Sequence, residues 1–130
     1  MHKISRQERI RIMDYLKRAE ELFLKTKENR RYIHKNAEVG ISLVKTMEFI
    51  SEKLISYGIT PTPCGEGITA VIGKGNPVIL LRADADALPM KEESGEEFAS
   101  INGNAHTCGH DMHTAMLLTA AKMLKETETD

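Results

Sequence analysis

The chain is 130 residues long, with 41% hydrophobic and 28% charged residues, the balance of one soluble globular domain able to bury a core. Its formal net charge of −1 excludes a general electrostatic pull toward nucleic acid or an anionic membrane, and no apolar run approaches a membrane span. The leading stretch "MHKISRQERIRIMDYLKRAEELF" is charged throughout and lacks the apolar core of a secretory signal. With only Cys64 and Cys108 and no sign of an oxidising compartment, free thiols and a cytoplasmic location are expected.

In chain order, the first predicted element is a helix over roughly Ser5 to Arg31. Ile10, Ile12, Met13, Leu16, Ala19, Leu22, Phe23 and Leu24 fall mostly on one stripe between charged residues, and no Gly or Pro interrupts them. "HKNAEVG" supplies a break through Asn36 and Gly40. A second helix is predicted from about Ser42 to Tyr57, with Leu43, Val44, Met47, Phe49, Ile50, Leu54 and Ile55 apolar and Gly58 as its stop. The period then changes. β-Branched residues punctuated by Gly and Pro predict short strands near Thr60 to Pro63, Ile68 to Gly73 and Val78 to Ala83, with "GKGNP" as a turn. Val78, Ile79, Leu80 and Leu81 are continuously apolar, the pattern of a central strand covered on both faces. A polar loop is expected over Asp84 to Thr107. A last helix begins near Asp111, with Met112, Ala115, Met116, Leu118, Thr119, Ala120, Met123 and Leu124 as its packing surface, and "KETETD" forms a solvated, fraying end.

The chemistry concentrates in "GNAHTCGHDMHTAM", where His106, Cys108, His110, Asp111 and His113 can all bind a metal. Cys108 and His110 lie two positions apart and would point in nearly opposite directions on a helix. They converge only on a turning backbone, which Gly109 permits. Asp111 is a good N-cap for the helix that follows, and the positive helix end would favour the Cys108 thiolate. Upstream, Asp84 and Asp86 end the apolar strand and share a face in extended geometry, at the strand end where open α/β sheets gather their sites. Cys and His suit zinc; carboxylates extend the choice to manganese, cobalt or nickel. Plainer readings stand beside this one. A lone C-x-H pair is a weak signal, Asp84 and Asp86 also fit as turn formers, and His113 as a helix-surface residue. Cys64 reads as a packed small side chain, and His34 alone as structural.

Three segments carry a resemblance to a known family. "RRYIHKNAEVG", "LLRADADALPMKEESGEEFAS" and "HTCGHDMHTAMLLTAAKML" resemble motifs of the M20 metallopeptidases, in particular the amidohydrolase branch of hippurate, N-acyl-amino-acid and auxin-conjugate hydrolases. The resemblance implies an α/β, zinc-peptidase-like three-layer sandwich, with residues 1–130 as the N-terminal part of its catalytic domain and helices packed on a mixed sheet. It implies a two-metal centre (zinc, manganese, cobalt or nickel) whose first two ligands match Cys108 and His110. Asp86 would support the site, and Asp84, His106, Asp111 and His113 would stand behind the ligands. The reaction implied is cleavage of an N-acyl amino acid or related small amide by metal-activated water. The glutamate pair holding the general base, two further histidine ligands and the dimerisation domain lie in family segments not matched here. Ala37 stands where the family motif has proline. The expectation is therefore part of an amidohydrolase, weakly metal-loaded and inactive alone, that associates with itself or with the remainder of the enzyme. The alternatives are a non-catalytic metal-binding or oligomerisation module, or one piece of a split enzyme.

Overall fold

The structure, a computed structural model, describes residues 14–128. Helix α1 spans Tyr15–Lys35, α2 Val44–Ser56 and α3 His110–Glu126, with strands β1 Thr62–Cys64 and β2 Gly67–Thr69 between the second and third helices. The α/β class expected from the sequence is thus present. Ile10, Ile12 and Met13 of the predicted first helix lie outside the described residues.

Helix α1 starts at Asp14, whose side chain accepts the Lys17 amide at 3.1 Å, an N-cap that satisfies an otherwise orphan donor. It runs to Lys35, four residues beyond the predicted end. No breaker intervenes before Asn36, and His34 and Lys35 in the last turn suit the negative helix terminus. Its inward face is Leu22, Asn29, Ile33 and His34. Of the expected stripe, Leu16, Phe23 and Leu24 are instead exposed. α1 packs against α3, and that contact leaves these three side chains uncovered.

Helix α2 has no side-chain cap of its own at Leu43. Glu38 substitutes: its carboxylate accepts the Lys45 amide at 3.2 Å and both the amide and hydroxyl of Thr46 at 2.7 Å. Burial alone would raise the Glu38 pKa, but these donors outweigh it and hold the carboxyl below its ordinary range. The far end closes as the sequence predicts. Gly58 takes φ +75°, its amide donates to Ile55 and the Ile59 amide donates to Leu54, a paired 5→2 and 6→1 closure that needs a left-handed residue. Ile59 then packs with Leu54, Phe49, Ile33 and Leu118 in the core.

β1 and β2 form an antiparallel hairpin in the register Thr62↔Thr69, Pro63↔Ile68 and Cys64↔Gly67, turning at Gly65 with φ +59°. Cys64 is exposed, not packed as expected, because a three-residue strand burying no face covers nothing. The larger correction concerns Val78 to Ala83. Among the described residues this segment forms no strand, and Val78, Ile79 and Leu80 are 80–85% exposed. A strand exists only where a neighbour takes its amides and carbonyls; here the hairpin is two-stranded and supplies no such neighbour. The loop that follows is pinned by a bridge between Leu88 and Ala105, and by the side-chain amides of Asn102 and Asn104 donating to the Ala37 carbonyl at 2.8 and 3.4 Å.

Of the expected fraying end, Lys125 and Glu126 belong to α3, and residues 129–130 lie outside the described residues. Arg18 of α1 forms a two-pronged pair with Glu126, which also takes Lys122. Hydrogen bonds from Arg18 and then Lys122 hold Glu126 near a pKa of about 2. No helix among the described residues is long and apolar enough to cross a membrane.

Candidate functional site

The site is built where the Ala83–Ala87 segment meets the first turn of α3. Gly109 is the helix N-cap at φ +96°, a left-handed conformation that costs an L side chain energy and glycine none. This corrects the expectation for Asp111. It lies inside the first turn and is fully buried, so its carboxylate is free to reach across to α1 and does not cap its own helix. Met112 and His113 donate their amides to the Gly109 carbonyl at 3.0 and 3.1 Å, which fixes the turn that presents Cys108 and His110.

On the open side, His110 faces the two aspartates. Its Nδ1 lies 3.0 Å from both the Asp86 carbonyl oxygen and Asp86 Oδ1. A backbone carbonyl can only accept, so Nδ1 carries the proton. In the neutral ring Nε2 therefore holds the lone pair. Asp84 Oδ2 stands 3.9 Å from it, beyond hydrogen-bond range. Thr114 Oγ donates to the Asp84 carbonyl at 3.0 Å and Glu38 O accepts the Ala87 amide at 2.7 Å, so the aspartate-bearing segment is held at both ends. Asp84 also pairs with Arg82. Cys108 is free and exposed, and the His113 ring centroid is 6.2 Å from that of His110. Of the two aspartates that the sequence sets near the Cys/His cluster, Asp86 bonds His110 and Asp84 stays 3.9 Å from it.

On the buried side, one residue further along, Asp111 Oδ2 accepts from Arg30 Nε and from His34 Nδ1, each at 2.7 Å. The other ring nitrogen of His34 lies 2.8 Å from Glu92 Oε1. Arg30 Nη2 also lies 3.2 Å from His34 Nδ1, so the Asp111 carboxylate, the imidazole and the guanidinium form one buried cluster. Glu92 also accepts from the Ser94 hydroxyl at 2.6 Å and the Ser100 amide at 2.6 Å. Burial pushes its pKa up, but the Ser94, His34 and Ser100 donors prevail and bring it to about 2. Phe98 lies under the Arg30 and Arg31 guanidiniums, 5.0 and 4.6 Å from ring centroid to Cζ, a cation–π geometry. His106, expected behind the ligands, is buried, and neither its two ring nitrogens nor Asp111 Oδ1 has a hydrogen-bond partner. Burial lowers the His106 pKa, opposed by the Asp111 charge, and favours the neutral ring.

The site thus has two compartments that meet at the adjacent residues His110 and Asp111. Sequence reasoning did not single out Arg30, Glu92 or Phe98. Arg30 and His34 share a helix face at a spacing of four, a readable signal. Nothing local separates Glu92 from the other carboxylates of "KEESGEE". Among the described residues, no three or more His, Cys, Asp or Glu side chains converge as a group that could hold a metal ion. Cys108 and His110 supply donor types suited to zinc, but two donors fill only part of a four-ligand shell.

Comparison with known proteins is consistent with this geometry. Residues 80–130 match the model of peptidase family M20/M25/M40. The chain is 44% identical over 101 residues to IAA-amino acid hydrolase ILR1-like 5 of Arabidopsis thaliana, covering 75% of this chain and 23% of that protein. It is 41% identical over 106 residues to the N-acyl-L-amino acid amidohydrolase of Geobacillus stearothermophilus, covering 78% and 29%. A Bacillus subtilis crystal structure, described as a dinuclear metal binding peptidase from M20 family, superposes with a TM-score of 0.76 at 32% identity, over 82% of this chain and 32% of that one. The chain therefore spans between about a fifth and a third of the length of these relatives. By sequence over residues 80–130 and by fold over most of its length, this chain is similar to members of peptidase family M20.

Proposed function

We propose that this chain supplies part of the centre of a metal-dependent amide hydrolase acting on N-acyl amino acids or similar small amides. The observation that carries the reading is the tautomer of His110. Asp86 fixes the proton on Nδ1 and so leaves Nε2 as a donor, the orientation imposed by a carboxylate behind a metal-binding imidazole. Cys108 and His110 would hold the ion, and Asp84 adds negative charge on the same side. A bound divalent ion would lower the pKa of water and polarise the amide carbonyl. Asp86 keeps His110 aimed and in the donor tautomer, Gly109 permits the turn, and the Thr114–Asp84 bond keeps the carboxylate segment against α3. Names and matches of the relatives support the hydrolase class and the N-acyl amino acid substrate.

Completion of the centre by further donors, from the remainder of an enzyme or a second copy, is part of the proposal. Two observations favour it. The donor set is partial among the described residues, and the apolar Val78–Leu81 segment is exposed. A cytoplasmic location also remains part of it. Titration with cobalt tests the reading directly. A cobalt–thiolate absorption should develop weakly, disappear in Cys108→Ser and be displaced in His110→Ala. Absence of any Cys108-dependent band would refute it.

A further inference from the structure

The buried compartment contains more ionic structure than its packing requires. Asp111 is fully buried, His34 is 7% and Glu92 6% exposed at the side chain, and the three are joined in a line by bonds of 2.7 and 2.8 Å. An apolar set of similar volume would avoid the desolvation cost of these charges. The line has a direction. One end is Glu92, which gathers its own loop through Ser94 and Ser100. The other end is the first turn of α3, one peptide bond from His110. We propose that Glu92 and His34 are positioning residues for the Cys108–Gly109–His110 turn, acting through Asp111. The Asp84–Asp86 segment orients the His110 ring from the open side, whereas the Glu92–His34–Asp111 line fixes the backbone that carries it. Arg30, which shares Asp111 Oδ2, neutralises charge in the line and meets the loop through the face of Phe98, not through a hydrogen bond.

The purpose of this line rests on the metal-hydrolase reading; its geometry does not. The test therefore has two readouts on the full chain. The first is amide exchange at Met112 and His113, which donate to Gly109, with Gly58 and Ile59 at the far end of α2 as internal controls. The second is the Cys108-dependent cobalt affinity. In Glu92→Ala and His34→Ala we expect exchange at Met112 and His113 to rise by about tenfold or more, as loss of a buried charged hydrogen bond implies, with Gly58 and Ile59 unchanged. Cobalt affinity should fall by about 10–100-fold, the usual effect of removing a group behind a ligand. Glu92→Gln, which keeps the volume and one acceptor, should fall between parent and Glu92→Ala in both readouts. Unchanged exchange at the turn overturns the proposal. So does faster exchange with unaltered cobalt affinity, or a rise that includes Gly58 and Ile59 equally in Glu92→Gln, which would mark the line as global stabilisation only. If the parent shows no Cys108-dependent band while the turn loosens selectively, the positioning role stands and the metal reading fails.

Discussion

Asp111→Ala is the most informative single change, because this side chain has no solvent to fall back on. The wild-type carboxylate is fully buried and has two partners at 2.7 Å, the Arg30 guanidinium and the His34 imidazole. A hydrogen bond to a charged group contributes about 1.5–3 kcal/mol, and removing one member of a buried ion pair costs about 3–5 kcal/mol because the partner charge is stranded. Two features reduce the cost here. Arg30 is 28% exposed at the side chain and can rehydrate, and loss of Asp111 Oδ1 removes an acceptor that has no partner. His34, at 7% exposure, keeps Glu92 and the Arg30 guanidinium beside its Nδ1. The expected loss is therefore about 3 kcal/mol, the lower end of the buried-pair range. Against the roughly 0.05–0.15 kcal/mol per residue typical of domains, that is a large share of the total. Urea unfolding followed by far-ultraviolet circular dichroism measures it. Combining Asp111→Ala with Arg30→Ala in a double-mutant cycle separates the arginine contribution. A loss below about 1 kcal/mol for Asp111→Ala, no more than one ordinary hydrogen bond, would refute the view that this carboxylate anchors the turn.

Three further outcomes are expected. Glu92 is held at about 2 against an ordinary 4.5, so the stability linked to its ionisation is complete above about pH 4.5 and is lost as pH falls toward 2; acid titration of unfolding free energy should show a shallower loss in that window for Glu92→Gln, and parallel curves would contradict the assignment. The isolated chain should not hydrolyse N-acetyl or N-benzoyl amino acids with zinc, manganese or cobalt added, since no group of three or more metal-binding side chains converges among the described residues; turnover abolished by Cys108→Ala would overturn this. Val78, Ile79 and Leu80 are exposed in succession, and Leu16, Phe23 and Leu24 are exposed on α1; uncovered apolar runs of this kind seek partners. Light scattering over a dilution series should show a homo-oligomer that Leu80→Asp weakens, whereas a monomer at every concentration would contradict the expectation.

What could be read from the sequence divides along local and non-local lines. The three helices, the Gly58 stop and the turning Cys108–His110 backbone depend on residues within a few positions of one another, and the structure contains them. The meeting of Asp84 and Asp86 with His110 was also legible, because a carboxylate pair at a segment end and a Cys/His cluster at a helix start have few other ways to combine. Val78 to Ala83 failed as a strand because an apolar run describes a segment, while a strand is a relation to neighbours. Leu16, Phe23 and Leu24 failed as core for the same reason: periodicity finds an apolar face but not the element that covers it. The buried line was hidden for a different reason. Its members stand far apart, at positions 34, 92 and 111, and nothing local links them; tertiary packing is what joins them into a network.

The capping of α2 by Glu38 has a consequence for modularity. The helix occupies Val44–Ser56, yet the acceptors for its first amides come from Glu38 and the bonds that close it come from Gly58 and Ile59. An excised peptide cut at the helix limits would discard both ends' partners, and a helix so short is marginal alone in water. The smallest stretch that carries its own terminal bonds is Glu38 to Ile59. A transplant into another scaffold should preserve that longer unit, and a graft trimmed to the visible helix should unwind from its first turn.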